Sequence, residues 1–597
     1  MLSSISRNKT IQITVIMVCL IASPSYLNAS CKKVVTQSNC FDVFVSVGHK
    51  YQKYIIKTPI NLSGKTIELP RDITIEFGKK GMLYNGQVRG NNTKLKKLHS
   101  NCLGIICLGS WNMPVIKDSF FDQNYLSDTQ ILDNITNIQS DDILNFIYLY
   151  KPQYNIELSS KHKRALCLSS NSKLFIQSKL CVNGNNLPQY AVISVGNKKN
   201  VVISGGEIEG DVGKHIYTDD SSQWGFGIQL SWSENVLISD ITIRKCIGDG
   251  IYVGGGEGTY YGDYSEASKN IEIKRVVSDD NRRQGISITY ACDVLLEDCI
   301  FSNTGKTEFV SPGCGLDIEP NLKQSVGNVI IRRCEFLHND RIFDVSVGGY
   351  RVEKDKCNVE NILFEDCNVT GILSIRTGSA TLRNCTMATF AIHLGEMPKE
   401  KVLVEDCKIV GGDGITIRTS CTVTRDQNLP IYEFKNCQVS VDQIKTKAII
   451  STISHKGNER GRLIFSNCVF SMPSNPAKYD FIQAGCVYSF TFSDCDINTG
   501  GRVLNNRGLS FFRCKLNCQY VDLAPTKESC ILEDCIICSS DPQKSIVFSP
   551  STATSQYIVR GCRIADEPRM PIVSRGVKTS RYVVSDNQFS NKVYNIN

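Results

Sequence analysis

One pattern recurs along most of this 597-residue chain: apolar, any, apolar, any, any, Cys, any, apolar. Clear copies are Val294-Leu296-Cys299-Phe301, Val329-Ile331-Cys334-Phe336, Ile362-Phe364-Cys367-Val369 and Val404-Cys407-Ile409. Further copies carry Cys385, Cys437, Cys468, Cys495, Cys514, Cys535 and Cys562. Four other turns place Gly206, Ile241, Val276 or Asn587 at the Cys position, which gives about fifteen turns after residue 200, eleven of them with Cys. The alternation has period two, so each copy reads as a strand with one buried face. The interval ranges from 18 residues, Cys367 to Cys385, to 35, Cys299 to Cys334. A solenoid permits this, because loops swell outward while the strands stack in register. Asn200, Asn235, Asn270, Asn328 and Asn361 precede the strand positions and suit turns. Fifteen strands at ~4.8 Å make a rod about 70 Å long.

A second strand is legible in many turns. Gly250-Ile251-Tyr252-Val253, Gly285-Ile286-Ser287-Ile288 and Gly315-Leu316-Asp317-Ile318 show it. Its outward residues are expected to form a column of Gln229, Tyr252, Ser287, Asp317, Ser346, Ser374, His393 and Thr416. Two residues along, Thr289, Glu319, Arg376 and Arg418 form another.

The rest of the chain divides around this repeat. Arg7 and Lys9, the apolar run Ile11 to Ile21 and the small residues before Ser30 predict a signal peptide over 1–29. That implies a secreted, periplasmic or cell-surface protein. Cys31 leaves a lipid anchor open as the one route to a membrane. Residues 30–126 read as a smaller β-rich region. Near-helical spacing of Ile131, Ile135, Ile138, Ile143 and Ile147 predicts a helical cap over 127–150. The β-solenoid then occupies 151–597. Hydrophobic residues at 41% and charged residues at 21% exclude a disordered chain. A net charge of +8 without a basic run argues against nucleic acid as partner.

The turns from Asn200 to about Arg418 resemble the right-handed parallel β-helix superfamily that includes pectate lyases, polygalacturonases and phage tailspikes. Gly248-Asp249-Gly250-Ile251-Tyr252-Val253 and Asn281-Arg282-Arg283-Gln284-Gly285-Ile286 carry the likeness, as does Gly315-Leu316-Asp317-Ile318-Glu319. The resemblance implies an all-β, right-handed parallel β-helix and a glycan site in a groove on its outer wall. It does not imply polygalacturonase activity. Asp279-Asp280 stands in a comparable setting, but the Gly-His-Gly and Arg-Ile-Lys motifs of that family are absent.

Two carboxylates on one strand face, Asp317 and Glu319, have Cα atoms ~6.7 Å apart. Glycoside hydrolysis uses such a pair, and Asp249, two turns away, is the third candidate catalytic residue. Arg282 and Arg283 are candidates to hold an acidic sugar. Trp224, Tyr252, Asp280 and His393 complete the expected substrate-binding set. A lyase would instead use a base such as His393, Arg376 or Arg418. Hydrolase and lyase both stay open, and so does a glycan-binding or surface protein without turnover. No metal is expected: Cys535-Ile-Ile-Cys538 has zinc-like spacing but no second pair. The expected cofactor is none, with calcium the open alternative. In-register Cys side chains point the same way, whereas a disulfide needs opposed Cβ vectors, so the thiol column is expected to be free.

Overall fold

The computed structural model describes residues 32–44, 51–218, 222–256, 263–321, 323–339, 343–348, 358–376, 378–394, 401–419, 431–441, 448–452, 461–472, 480–483, 489–505, 508–524, 529–550, 555–565, 568–578 and 581–595. The signal-peptide and Cys31 expectations lie outside the described residues. Two compact units are present, one ending at Ser140 and one from Asp141 to Asn597.

The first unit is itself a parallel ladder. Lys32–Val35, Lys53–Ile56 and Thr74–Phe77 stack in that order, and Thr74–Phe77 pairs on with the long strand Met82–Lys96. One helix follows, Asp128–Ile138, started by a reciprocal cap between Ser127 and Gln130. Its buried Asn134 donates to the Ile105 carbonyl at 2.8 Å and accepts the Cys107 N–H at 2.7 Å. The helix expected over 127–150 is therefore shorter at its far end. Asn145–Leu149 is a strand with strict inside–outside alternation, and period two prevails there over the looser helical spacing.

In the second unit the repeat strands form one continuous parallel wall. It runs from Asn145–Leu149 through Ser172–Ile176 and Lys199–Ser204 to Tyr582–Ser585. The solenoid thus begins at 145, before the expected boundary. Inward residues of this wall include a stack of rings, with Phe434, Phe465, Phe492 and Phe511 at centroid spacings of 4.6, 4.8 and 4.9 Å.

The corner after this wall explains the Cys pattern. The residue before each column position adopts a left-handed conformation: Asp298, Arg333, Asp366, Asn384, Asp406 and Asn436 have φ between 50° and 57°. Asp and Asn tolerate this region better than most residues. The corner turns the chain inward, and the next residue, the Cys, enters the core. All the described column thiols are free and buried. Each donates locally, as Cys299 does to the carbonyls of Glu297 at 3.3 Å and Ile273 at 3.4 Å. A buried S–H is thereby satisfied without oxidation.

Past the corner comes a three-residue strand such as Ile300–Ser302, and after a bend a second strand such as Cys314–Ile318. Both lie in the same parallel sheet. The bend leaves no room for a side chain. A Cβ on Gly250 would run into the Ser278 hydroxyl and the Gly285 carbonyl, which is why the second-strand motif opens on glycine.

Candidate functional site

The register of the second wall places Gln229, Tyr252, Ser287, Asp317, Ser346 and Ser374 in one column, as expected. It departs from expectation beyond Ser374. A shift in the ladder between Val369 and Ile372 puts Ala391, not His393, beside Ser374 and Thr416. His393 instead pairs with Arg418. Val369 to Ile372 spans three residues where Met387 to Thr389 spans two, so a fixed count from the Cys corner overshoots.

Asp317 and Glu319 do share a face, but they are not ordinary surface groups. Asp317 is fully buried, and Glu319 keeps 28% of its side-chain exposure. Both carboxyls lie against the same guanidinium, that of Arg376. Gln284 Nε2 donates to Asp317 Oδ2 at 2.7 Å. Arg376 Nη2 lies 3.4 Å from Asp317 Oδ1 and 3.5 Å from Glu319 Oε1. Burial pushes the Asp317 carboxyl up to about 7, the negative charge of Glu319 adds to this, and Arg376 and Arg283 pull the other way.

Asp249 forms a second buried group beside the first. Arg283 Nη1 donates to both of its oxygens, at 3.0 and 3.1 Å, and Ser287 Oγ donates to Oδ2 at 2.5 Å. Burial nevertheless raises the Asp249 carboxyl above its ordinary range. Arg283 also lies over the Trp224 ring, 4.8 Å from its centroid, and Tyr252 stacks on Phe226 at 5.0 Å. The site therefore gathers three carboxyls and two guanidiniums. One proton on Asp317 makes that set neutral.

Other expected members lie apart. Arg282 donates to the Ser222 carbonyl at 2.7 Å and covers the Tyr217 ring at 4.1 Å. It braces the 211–224 loop and does not face the carboxyls. Asp280 sits at a left-handed corner, φ 50°, and accepts from the Thr307 N–H and hydroxyl. Its role is in the turn. Arg283 proves to be the partner of a protein carboxylate, not a free cation. Gln284 and Ser287, which orient the acids, were missed as site residues. The signal was present, since both are polar residues on the strand one turn before Asp317. Among the described residues, no cluster of three or more His, Cys, Asp or Glu is placed to hold a metal ion. Cys535 belongs to the thiol column.

Residues 147–322 and 264–429 match the family described as right handed beta helix region. The second unit is a right-handed parallel β-helix. The chain is 34% identical over 274 residues to the uncharacterized protein YclG of Bacillus subtilis, covering 42% of this chain and 47% of that protein. The SPbeta prophage-derived uncharacterized protein YorA of the same organism is 32% identical over 160 residues, 26% of this chain and 27% of that protein. The chain thus spans about half of one curated relative and about a quarter of the other. Among solved structures, the β-helix is similar to the A-module of mannuronan C-5 epimerase AlgE4 from Azotobacter vinelandii. That likeness has a TM-score of 0.41 and 13% identity, over 57% of this chain and 91% of the other.

Proposed function

We propose that this β-helix is an exported glycoside hydrolase whose acid is Asp317, acting with Glu319 on a glycan held against the second wall. The observation that carries the reading is the Asp317 carboxyl, buried, held with Glu319 against Arg376 and pushed up to about 7. A carboxylic acid that keeps its proton near neutrality can donate it to a glycosidic oxygen. With Asp317 as the acid, Glu319, the more exposed member, receives a proton from attacking water.

The arginines support hydrolysis over elimination. A lyase needs spare positive charge to neutralise a uronate carboxylate. Arg283 is occupied by Asp249, and Arg376 lies against Asp317 and Glu319. The basic start and apolar run at the N-terminus support export. The rival reading is a glycan-binding rod without turnover, favoured by Trp224, which keeps 38% exposure with Arg283 on its face.

A panel of neutral and acidic glycans separates these readings. Hydrolysis releases reducing ends without an ultraviolet-absorbing product. An unsaturated product would replace the hydrolase reading by a lyase. Binding that Trp224→Ala abolishes, with no cleavage of any glycan, would establish the binding rod.

A further inference from the structure

The charge of the molecule is divided unevenly between its two units. From Asp141 to Asn597 the chain carries 51 basic and 51 acidic side chains. Between Cys31 and Ser140 it carries 14 basic against 8 acidic ones, so this short stretch has a net charge of +6. Of those 14, 12 are Lys. Solubility alone does not call for such a division, and charge of one sign gathered on one unit draws a partner of the other sign.

The parallel ladder of the first unit shows where the lysines go. Lys32, Lys53, Thr74 and Lys94 stand opposite one another on four neighbouring strands. Two residues along, Val34, Ile55, Glu76 and Lys96 do the same. The alternate residues Tyr54, Ile56, Ile75 and Phe77 are buried, so both sets look outward. Glu76 is the one acid in the two sets, and it is already held by Lys53 and by Lys97 at 2.7 Å. Lys32, Lys94 and Lys96 are exposed and form no ion pair among the described residues. Lys57, Lys79 and Lys80 are likewise exposed and unpaired where the middle strands end. A Cβ on Gly78 would lie 3.3 Å from the Lys57 Cα, which puts Lys57 beside the Gly78-Lys79-Lys80 run.

We propose that this lysine face binds an acidic polysaccharide, with one carboxylate per sugar, laid across the strands. Three features select that partner. Neighbouring strands are ~4.8 Å apart, and a pyranose ring in an extended chain advances by a similar step. Cations set apart by whole strands therefore stay in register with carboxylates set apart by whole sugars. The cations are ammonium groups, which meet a carboxylate from any direction, whereas nucleic-acid recognition draws on the planar Arg fork. The two outward sets carry no aromatic ring on which a base could stack, and Val34 and Ile55 are too little apolar surface to enter a bilayer. The contacts are individually weak, add up along the polymer and yield to salt. The assignment rests on the first unit alone and stands whether or not the second unit cleaves a glycan.

The test is retardation of the full chain in native gels that contain polygalacturonate. The unaltered protein should be retarded at low salt, should be released at ~0.5 M salt, and should run freely in neutral dextran. Lys32→Gln, Lys94→Gln and Lys96→Gln combined should weaken binding at least ~20-fold, since each Lys near an anionic surface contributes about 5-fold. Arg at the same three positions keeps the charge and should keep the binding, which separates lost charge from a damaged fold. Lys408→Gln, Lys515→Gln and Lys578→Gln combined remove the same charge from exposed positions of the second unit and should leave binding unchanged. The proposal is overturned by free migration of the unaltered chain in polygalacturonate, or by equal losses in the two triple Gln variants. It is also overturned if the three lysines of the first unit serve duplex DNA or phosphatidylglycerol vesicles in preference to polygalacturonate.

Discussion

The inner corner column and the outer column of the neighbouring strand obey opposite rules. From Cys299 to Cys562 the corner repeats one residue type, always buried and always donating to carbonyls of its own and in most cases the preceding turn. The outer column varies, from Tyr252 to Ser287 to Asp317 to Ser346. Repetition marks positions where each turn solves the same packing problem. Departure marks positions where one turn does something its neighbours do not. The three acids and two arginines all fall within the turns that depart most.

The sharpest way to break this contrast is at Asp249. Removing one partner of a buried ion pair leaves the other uncompensated, so Asp249→Ala should destabilise the protein by ~3–5 kcal/mol in chemical denaturation. A cost near zero would mean that the buried pair beside the outer column is as replaceable as ordinary surface.

Next come the proposed dyad substitutions. Asp317→Asn and Glu319→Gln should each slow glycan cleavage by at least ~10²-fold, the low end for general acid–base catalysis. Asp413→Asn, on a later turn, should leave cleavage intact. Asp317 also couples to stability. Its folded value of about 7 lies above the ordinary ~3.9, so the folded state holds a proton that the unfolded chain has released between those values. Melting temperature should therefore fall as pH rises from about 4 to about 7. Asp317→Asn should flatten that slope, and an unchanged slope would remove the acid from Asp317.

A smaller effect is expected at Arg376. The guanidinium pulls the Asp317 carboxyl down, so Arg376→Met should move the alkaline limb of the activity profile to higher pH. A shift toward acid would contradict the arrangement.

The repetitive column should respond least. The Cys407 thiol donates to the Glu405 carbonyl at 3.2 Å, and a serine hydroxyl in its place keeps that acceptor. Cys407→Ser should cost only ~1 kcal/mol. Alkylation of denatured protein without reductant should label the whole column. Protection of those thiols would mean disulfides and would end the reading of the column as a packing element.

Much of the fold was legible because it rests on local alternation. Val294, Leu296 and Cys299 read as inward from spacing alone, and the ladder places them so. The Asp317/Glu319 pair was legible for the same reason. What sequence spacing could not supply was depth and register across a bulge. Asp317 alternates outward yet is fully buried beneath neighbouring groups, and Ala391 takes the place counted for His393. Arg283 and Asp249 are distant in sequence, so their pairing follows from stacking of turns, which no local pattern encodes.

The left-handed residue before each corner has a further consequence, for error correction during folding. Parallel strands of similar composition can pair out of step, and a slip of one residue exchanges inside for outside. Here a slip in one direction would also force a Cys into the left-handed region, and a slip in the other would carry Asp298, Asp406 or Asn436 into the core. The penalty recurs at every corner, so a misaligned stretch becomes less favourable with each turn added, whereas a correctly aligned one does not. The corners act as a ratchet that lets the rod grow from a sound edge and rejects growth from a faulty one.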